Sequence, residues 1–375
     1  MSDLNKFKGC LIGGAVGDAL GYAVEFMSAD AIFKKYGRDG ITEYELCRGA
    51  AQISDDTQMT LFTAAGLLSG TTRGMTRGAM GGCAGYIEYS YGDWYRTQNE
   101  QYPLSGGQRY SWLVNIPEMF SRRAPGNTCL SALSQSRRGT LEDPVNDSKG
   151  CGGVMRVAPI GLYFANGNHD SMRQTEIDLI GAKAAAVTHG HELGYIPAAA
   201  LVHIISLLTK HENISVLDAV ADSVVSMRKI FKETEHLRQF HKLMEKAADL
   251  AVSSDNDLDA IRRLGEGWVA EETLAIAVYC AVKYSDNFEK GMIAAVNHSG
   301  DSDSTGAVAE NILGAALGFD AIPQKFLDKL ELKDVILEIA EDLHRDCPIS
   351  EYGPGDKLWE SKYIDMTYTM GRRCY

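Results

Sequence analysis

Two short acidic segments, Ser54-Asp55-Asp56-Thr57 and Asp301-Ser302-Asp303-Ser304-Thr305, each stand just before an apolar run that reads as a helix. Aspartates mixed with hydroxyls present hard oxygen ligands, the set taken by Mg²⁺, Mn²⁺ and Ca²⁺. Helix capping accounts for one oxygen in each segment, since a Ser or Asp at the N-cap accepts from a free backbone N–H and acids suit the positive end of the helix dipole. Each segment offers three or more. Asp301-x-Asp303-x-Thr305-Gly306 copies the first half of an EF-hand loop, but Ile312 stands where the bidentate glutamate belongs, and the intervening residues run into helix. A two-metal site shared by both segments explains more. Hard cations ~3.5–4 Å apart can orient substrate oxygens and lower the pKa of a water, which suits hydrolysis. Zinc is weakly supported, because only His189 and His191 lie close together among nine histidines.

Two further segments carry chemistry. Asp18 and Glu25 fall seven residues apart on a mostly apolar predicted helix, where they share roughly one face. Carboxylates near a core need partners, and a cation would stabilise both. Gly150-Cys151-Gly152-Gly153-Val154-Met155-Arg156 is neither a Walker loop nor a dinucleotide fingerprint. It reads equally as a turn before an apolar segment and as a run of exposed N–H groups able to cradle a diphosphate, with Ser148 adding a hydroxyl.

The elements that must position these residues are helical. Apolar residues recur at helical spacing, as in Met59, Phe62, Ala65 and Leu68, while alternating β-branched runs are scarce. The spacing predicts helices over Phe7–Phe26, Thr57–Ser69, Ala79–Tyr91, Thr128–Ser136, Met172–Val187 and Ile196–Lys210. It continues with Ser215–Phe231, Gln239–Ser253, Thr273–Tyr284, Phe288–Asn297, Thr305–Leu317 and Leu332–His344. Gly13, Gly17 and Gly21, four residues apart, form a smooth stripe against which another backbone can pack. No linker or repeat interrupts the chain, so the expectation is an all-α, compact orthogonal multi-helix single domain over residues 1–375, with Leu330–Cys347 as a peripheral helix.

Composition narrows the partners. The 375 residues include 50 Asp and Glu against 37 Lys and Arg, a net charge of −13 that argues against a nucleic-acid or anionic-membrane surface. Eight scattered cysteines without a Cys-x-x-Cys pair read as reduced thiols, and no signal peptide is evident at the Met1 end. The expectation is a soluble cytoplasmic monomer. No uninterrupted apolar run reaches the ~18–20 residues needed to span a bilayer; the most suggestive, Cys10 to Phe26, carries Asp18 and Glu25.

Taken together, Gly17-Asp18-Ala19-Leu20-Gly21, Ser54-Asp55-Asp56-Thr57, Asn146 to Arg156, Thr188-His189 and Ser299 to Thr305 resemble the ADP-ribosylglycohydrolase family. The match runs in family order from about Lys6 to Phe319, leaving 320–375 as a peripheral helix and tail. The resemblance implies an all-α domain with a binuclear Mg²⁺ or Mn²⁺ centre at helix N-termini that releases ADP-ribose from a modified protein. Ser54, Asp55, Asp56, Asp301, Asp303 and Ser304 match the family's metal-binding motifs, with Asp303 as the bridging ligand. Glu25 falls where some members carry a glutamate that contacts the metals and contributes to catalysis. Ser148, Gly150, Cys151, Gly152 and Met155 match the segment that wraps the diphosphate and distal ribose, and His189 matches a ligand-contacting histidine. Tyr110, Trp112 and Tyr279 are candidates to stack on adenine. Lys149-Gly150-Cys151-Gly152 is worded like arginine-directed members, whereas Glu25 also occurs in the serine-directed type.

The implied chemistry places the proximal ribose hydroxyls on two metals and sets C1 against a water. Asp55, Asp56 or Glu25 would act as general base, with carboxylates stabilising oxocarbenium-like charge. Serine-linked ADP-ribose and O-acetyl-ADP-ribose are alternative substrates. A non-catalytic ADP-ribose-binding module and a two-metal phosphoesterase are the alternative classes.

Overall fold

Gly9, Gly13 and Gly17 put a strip of bare backbone on the first helix, and the chain uses it to bring two distant helices into main-chain contact. The computed structural model describes residues 3–78, 83–253 and 256–370, and among these no strand occurs. In chain order the α-helices are α1 (Leu4–Gly21), α2 (Ala29–Tyr36), α3 (Asp55–Arg77), α4 (Cys83–Asn99), α5 (Asn127–Leu133) and α6 (Ala158–Ala165). Next come α7 (Gln174–Ala186), α8 (Glu192–Lys210), α9 (Val216–Ile230), α10 (Leu237–Ala251), α11 (Asp257–Leu264) and α12 (Ala270–Lys283). The last are α13 (Phe288–Val296), α14 (Ser302–Leu317), α15 (Gln324–Leu327), α16 (Lys333–Arg345) and α17 (Lys357–Tyr363).

The predicted glycine stripe packs on α14. A Cβ on Gly13 would lie 2.5 Å from the Glu310 carbonyl oxygen, and one on Gly9, Gly17 or Gly21 would overlap backbone atoms of Gly314, Gly306 or Ser302. Approach this close needs small residues on both helices, and Gly306 and Gly314 supply them on α14. Asn311 then donates across the seam to the Cys10 carbonyl at 2.8 Å. Both helices are buried almost throughout, so their sequences show little polar face.

α1 stops earlier than predicted. Its last helical carbonyl contact is Tyr22 N–H to Asp18 O at 2.8 Å, and residues 22–26 form turns, so Glu25 leaves the helix and no longer shares a face with Asp18. Ala79–Gly82, the start of the helix expected over Ala79–Tyr91, lie outside the described residues, and α4 is described from Cys83 to Asn99. Sequence periodicity missed α6 because all eight of its residues are buried and none marks a polar face.

α8 corrects the expectation about apolar segments. Its 19 residues are long and apolar enough by composition to cross a membrane, despite Pro197 and Glu192, but 89% of that stretch is buried inside the protein. It runs through the core against α6, α7, α9 and α12. The helix expected within Leu330–Cys347 is α16, which buries Ile336, Ile339 and Leu343 against α1, α3 and α6. Six cysteines are free thiols; the Cys83 side chain and Cys374 lie outside what is described.

Candidate metal centre and substrate cavity

Two helix N-termini and one turn converge on the same point. Ser54 is the N-cap of α3 and accepts from the Asp56 N–H at 3.2 Å. The rest of the capping comes from another helix: Asp18 accepts from the Ser54 and Thr57 N–H groups, at 3.0 and 3.1 Å, and from the Thr57 hydroxyl. Asp55 and Asp56 are thereby freed from most of the capping work. At α14, Asp301 is the N-cap, accepting from Ser304 N–H at 3.3 Å, while Asp303 Oδ1 accepts from the same N–H at 2.9 Å. The preceding Gly300 has φ of +128° and faces the Glu266 carbonyl, which accepts from Asp301 N–H at 2.9 Å; only glycine fits there.

The α3 and α14 segments touch. Ser304 Oγ donates to Asp56 Oδ1 at 2.8 Å, and Ser54 Oγ donates to Asp56 Oδ2 at 3.4 Å. Glu25, from the turn after α1, joins Asp301 and Asp303 so that one oxygen from each lies within 4.8 Å of the others. Glu25, Asp55, Asp56, Asp301, Asp303 and Ser304 all line one cavity of about 490 Å³.

This set is electrostatically unbalanced. Arg122 is the one Lys or Arg among the described residues lining the cavity, facing five carboxylates. Burial, reinforced by Asp301 and Asp55, pushes Glu25 up to about 9, and burial, opposed in part by the Gly126 N–H, pushes Asp55 up to about 8. Asp56 and Asp303 are held well above the ordinary aspartate range by burial first and then by repulsion from neighbouring carboxylates. Glu25 Oε2 is buried with no hydrogen-bond partner. Hard oxygens crowded at two positive helix ends fit divalent cations, whose charge would offset the repulsion.

The loop before α6 adjoins the cluster, with Met155 Sδ 3.9 Å from Ser304 Oγ. Gly150, Cys151, Gly152, Met155 and His189 line the cavity. Gly152 must be small, since a Cβ there would come 2.9 Å from both Cys129 Sγ and His189 Cε1. The expected run of free N–H groups is shorter than the sequence suggested. Gly150 N–H is donated to Ser148 Oγ at 3.3 Å and Cys151 N–H to the Trp268 carbonyl at 3.2 Å, so two N–H groups of the loop are already committed. Ser148 itself stands behind the loop, with its hydroxyl 3.3 Å from Thr128 Oγ1. Ser54 is fully buried beneath Asp56.

None of the three aromatic candidates for adenine lines the cavity. Trp112 and Tyr279 are fully buried, and Tyr110 stacks on Tyr89 with ring centroids 4.6 Å apart. Instead Phe26 and Trp268, 75% and 39% exposed, stack at the cavity mouth with centroids 5.9 Å apart and an interplanar angle of 18°. Sequence reading also missed the Ala124–Cys129 segment, whose Gly126 N–H binds Asp55 Oδ2 at 3.1 Å. The Gly267-Trp268 pair in a loop was a usable signal; Phe26 was hidden by its assignment to a buried helix. A larger cleft of about 790 Å³ near Asn115 and Lys333 gathers no comparable set of convergent carboxylates.

A family model described as ADP-ribosylglycohydrolase matches residues 1–351, which extends past the motifs to include α16. The chain is similar to the ADP-ribosyl-[dinitrogen reductase] glycohydrolase of Rhodospirillum rubrum, with 25% identity covering 87% of this chain and 90% of that protein. It is also similar to the ADP-ribosylarginine hydrolase Tri1 of Serratia proteamaculans, with 25% identity covering 93% of this chain and 81% of that one. Among solved structures, a chain of an ADP-ribosylglycohydrolase-related protein complex aligns with a TM-score of 0.61 and 22% identity, covering 91% of this chain and 98% of its own. At that identity the likeness speaks for the shared all-α fold.

Proposed function

The chain belongs to the ADP-ribosylglycohydrolase family, and on that premise we propose that it hydrolyses the bond between ADP-ribose and a modified protein, with the N-glycosidic bond to arginine as its linkage and two Mg²⁺ or Mn²⁺ ions at the acidic cluster. The observation that carries this reading is the single cavity lined both by Glu25, Asp55, Asp56, Asp301 and Asp303 and by Gly150, Gly152 and His189. The carboxylates suit cations and ribose hydroxyls; the glycine loop admits the close approach of a diphosphate.

Bound there, the cations would supply Lewis acidity toward a water and the ribose hydroxyls. The chain's own groups account for the rest. Water oxygen attacks C1 of the ribose while the C1–N bond breaks and its electron pair stays on the guanidine nitrogen, which takes up a proton. Asp55, Asp56 or Glu25 accepts the proton lost by the water. The remaining carboxylates, preorganised by Ser54, Ser304 and Gly126, stabilise the positive charge that develops on the ribose.

Three features support arginine as the acceptor. The Lys149-Gly150-Cys151-Gly152 wording resembles arginine-directed members, and the Serratia relative is named for ADP-ribosylarginine. The exposed Phe26–Trp268 stack beside Glu25 offers a flat aromatic face to a planar guanidinium.

The test is a side-by-side assay on arginine-linked and serine-linked ADP-ribosyl protein, with products identified by mass spectrometry. Intact ADP-ribose from the arginine substrate, lost on chelation and in folded Asp56→Asn and Asp303→Asn variants, is the expected result. AMP or free phosphate would identify a phosphoesterase, and tight ADP-ribose binding without turnover a non-catalytic module.

A further inference from the structure

Arg156 is fully buried and has no carboxylate partner among the described residues. Its Nη2 donates to the Ala184 carbonyl at 3.0 Å and to Thr188 Oγ1 at 2.7 Å. Nη1 lies against Met59 Sδ and Cys129 Sγ at 3.5 and 3.4 Å, and the guanidinium sits 4.2 Å from the centre of the Tyr91 ring. A buried cation held this way is a fixed directional donor.

Thr188 is also fully buried, and its hydroxyl meets Arg156 Nη2 and His189 Nδ1, the latter at 2.8 Å, with the Cys129 thiol as a third side-chain neighbour. Arginine can only donate, so Thr188 Oγ1 accepts from it. The threonine proton then has one strong acceptor, the lone pair on His189 Nδ1, and one weak one, the Cys129 sulfur. That leaves the imidazole hydrogen on Nε2. The reverse tautomer would aim two hydrogens at Oγ1 and leave the hydroxyl proton only the weakly accepting Cys129 sulfur, a state disfavoured by about tenfold.

We propose that Arg156 and Thr188 are positioning residues that lock His189 as the neutral Nε2–H tautomer, a fixed donor to an anionic oxygen of bound ADP-ribose; the identity of that acceptor rests on the function proposed above. His189 lines the cavity, and Nε2 has no protein partner among the described residues. It lies 3.3 Å from where a Cβ would stand on either Gly150 or Gly152, so both glycines clear its path. Burial, and then the nearby Arg156 charge, lowers His189 to about 3, so the ring stays uncharged. A neutral donor contacts the ligand without adding a further titrating charge to the cavity.

The first measurement is the ¹⁵N spectrum of the His189 ring in the wild-type protein between pH 5.5 and 8. A protonated Nε2 and an unprotonated Nδ1 throughout are expected; an Nδ1–H ring or an imidazolium in that range overturns the proposal. The second is ADP-ribose affinity by calorimetry for Thr188→Val and Thr188→Ser. Thr188→Val should lose the single tautomer and bind about tenfold to a hundredfold more weakly, while Thr188→Ser, which keeps the hydroxyl, should retain both. Equal affinity in Thr188→Val and wild type overturns the proposal even if the wild-type tautomer is as expected. A wild-type protein that shows the expected tautomer but binds no ADP-ribose refutes the substrate reading and the acceptor with it, and leaves the tautomer lock standing.

Discussion

Asp18 on α1 caps the first turn of α3, taking the Ser54 and Thr57 N–H groups at 3.0 and 3.1 Å. The carboxylate that sequence alone would pair with a cation is thus saturated by protein donors, although burial still raises it to about 6. Asp18→Asn puts an amide N–H₂ where an acceptor is needed and leaves buried donors unpaired. A loss of about 1–3 kcal/mol in urea unfolding is expected, together with weaker Mg²⁺ binding because the Asp55–Asp56 turn loses its anchor. Unchanged stability would show that Asp18 does not hold this turn.

The glycine seam makes a paired prediction. Gly17→Ala pushes a methyl group into the Gly306 main chain and should cost about 1–3 kcal/mol with reduced activity. Gly92 lies within α4 with nothing within 4 Å of its would-be Cβ, so Gly92→Ala should be neutral or stabilise by up to about 1 kcal/mol. Thermal melts of the two variants, run side by side, distinguish seam packing from a general intolerance of side chains at helical glycines.

The acidic cluster predicts how stability varies with pH. Glu25 and Asp55 stand near 9 and 8 in the folded chain, against about 4 for an unfolded carboxyl. Raised values mean that the folded state binds these protons more tightly. Their contribution to stability is therefore complete below about pH 4 and disappears as the pH rises through 8 and 9. In chelator the melting temperature should fall between pH 6 and 8.5. Mg²⁺ should restore it, by more at the higher pH, because cations bind the deprotonated carboxylates. A chelated protein that is more stable at pH 8.5 than at pH 6 contradicts this account of the cluster.

Glu25→Gln separates stability from function. Removing one of the mutually repelling carboxylates should stabilise the metal-free protein at pH 8.5 by about 1 kcal/mol or more while lowering turnover. Differential scanning calorimetry in chelator and steady-state assays in Mg²⁺ read the two effects independently. A variant that is both less stable and fully active would remove Glu25 from the centre.

The sequence made the acidic segments and the glycine loop conspicuous because each packs unusual residues into a few positions. Ser54–Asp56 and Asp301–Ser304 do meet in space, joined by Ser304 and Asp56. Legibility failed where function depends on contacts made across the fold. Asp18 caps a helix other than its own, and nothing local to it signals that role. Phe26 was placed inside a helix whose end is set by the seam with Ser302, and α6 lacks any polar face from which a period could be read. Arg156 looked like the end of a glycine-rich motif, but its partners, Thr188 and Ala184, come from the far end of α7.

The close contact of α1 with α14 also sets the order in which the protein can mature. On the ribosome, Gly9 to Gly21 emerges long before Gly306 and Gly314 exist to receive it. Until then Asp55 and Asp56 have no Asp301, Asp303 or Ser304 opposite them. Long-range closure of this kind is slow and comes late in folding. Competence is therefore acquired in one terminal step, and a message cut short before Asp301 encodes a chain with Asp55 and Asp56 but neither Asp301 nor Asp303.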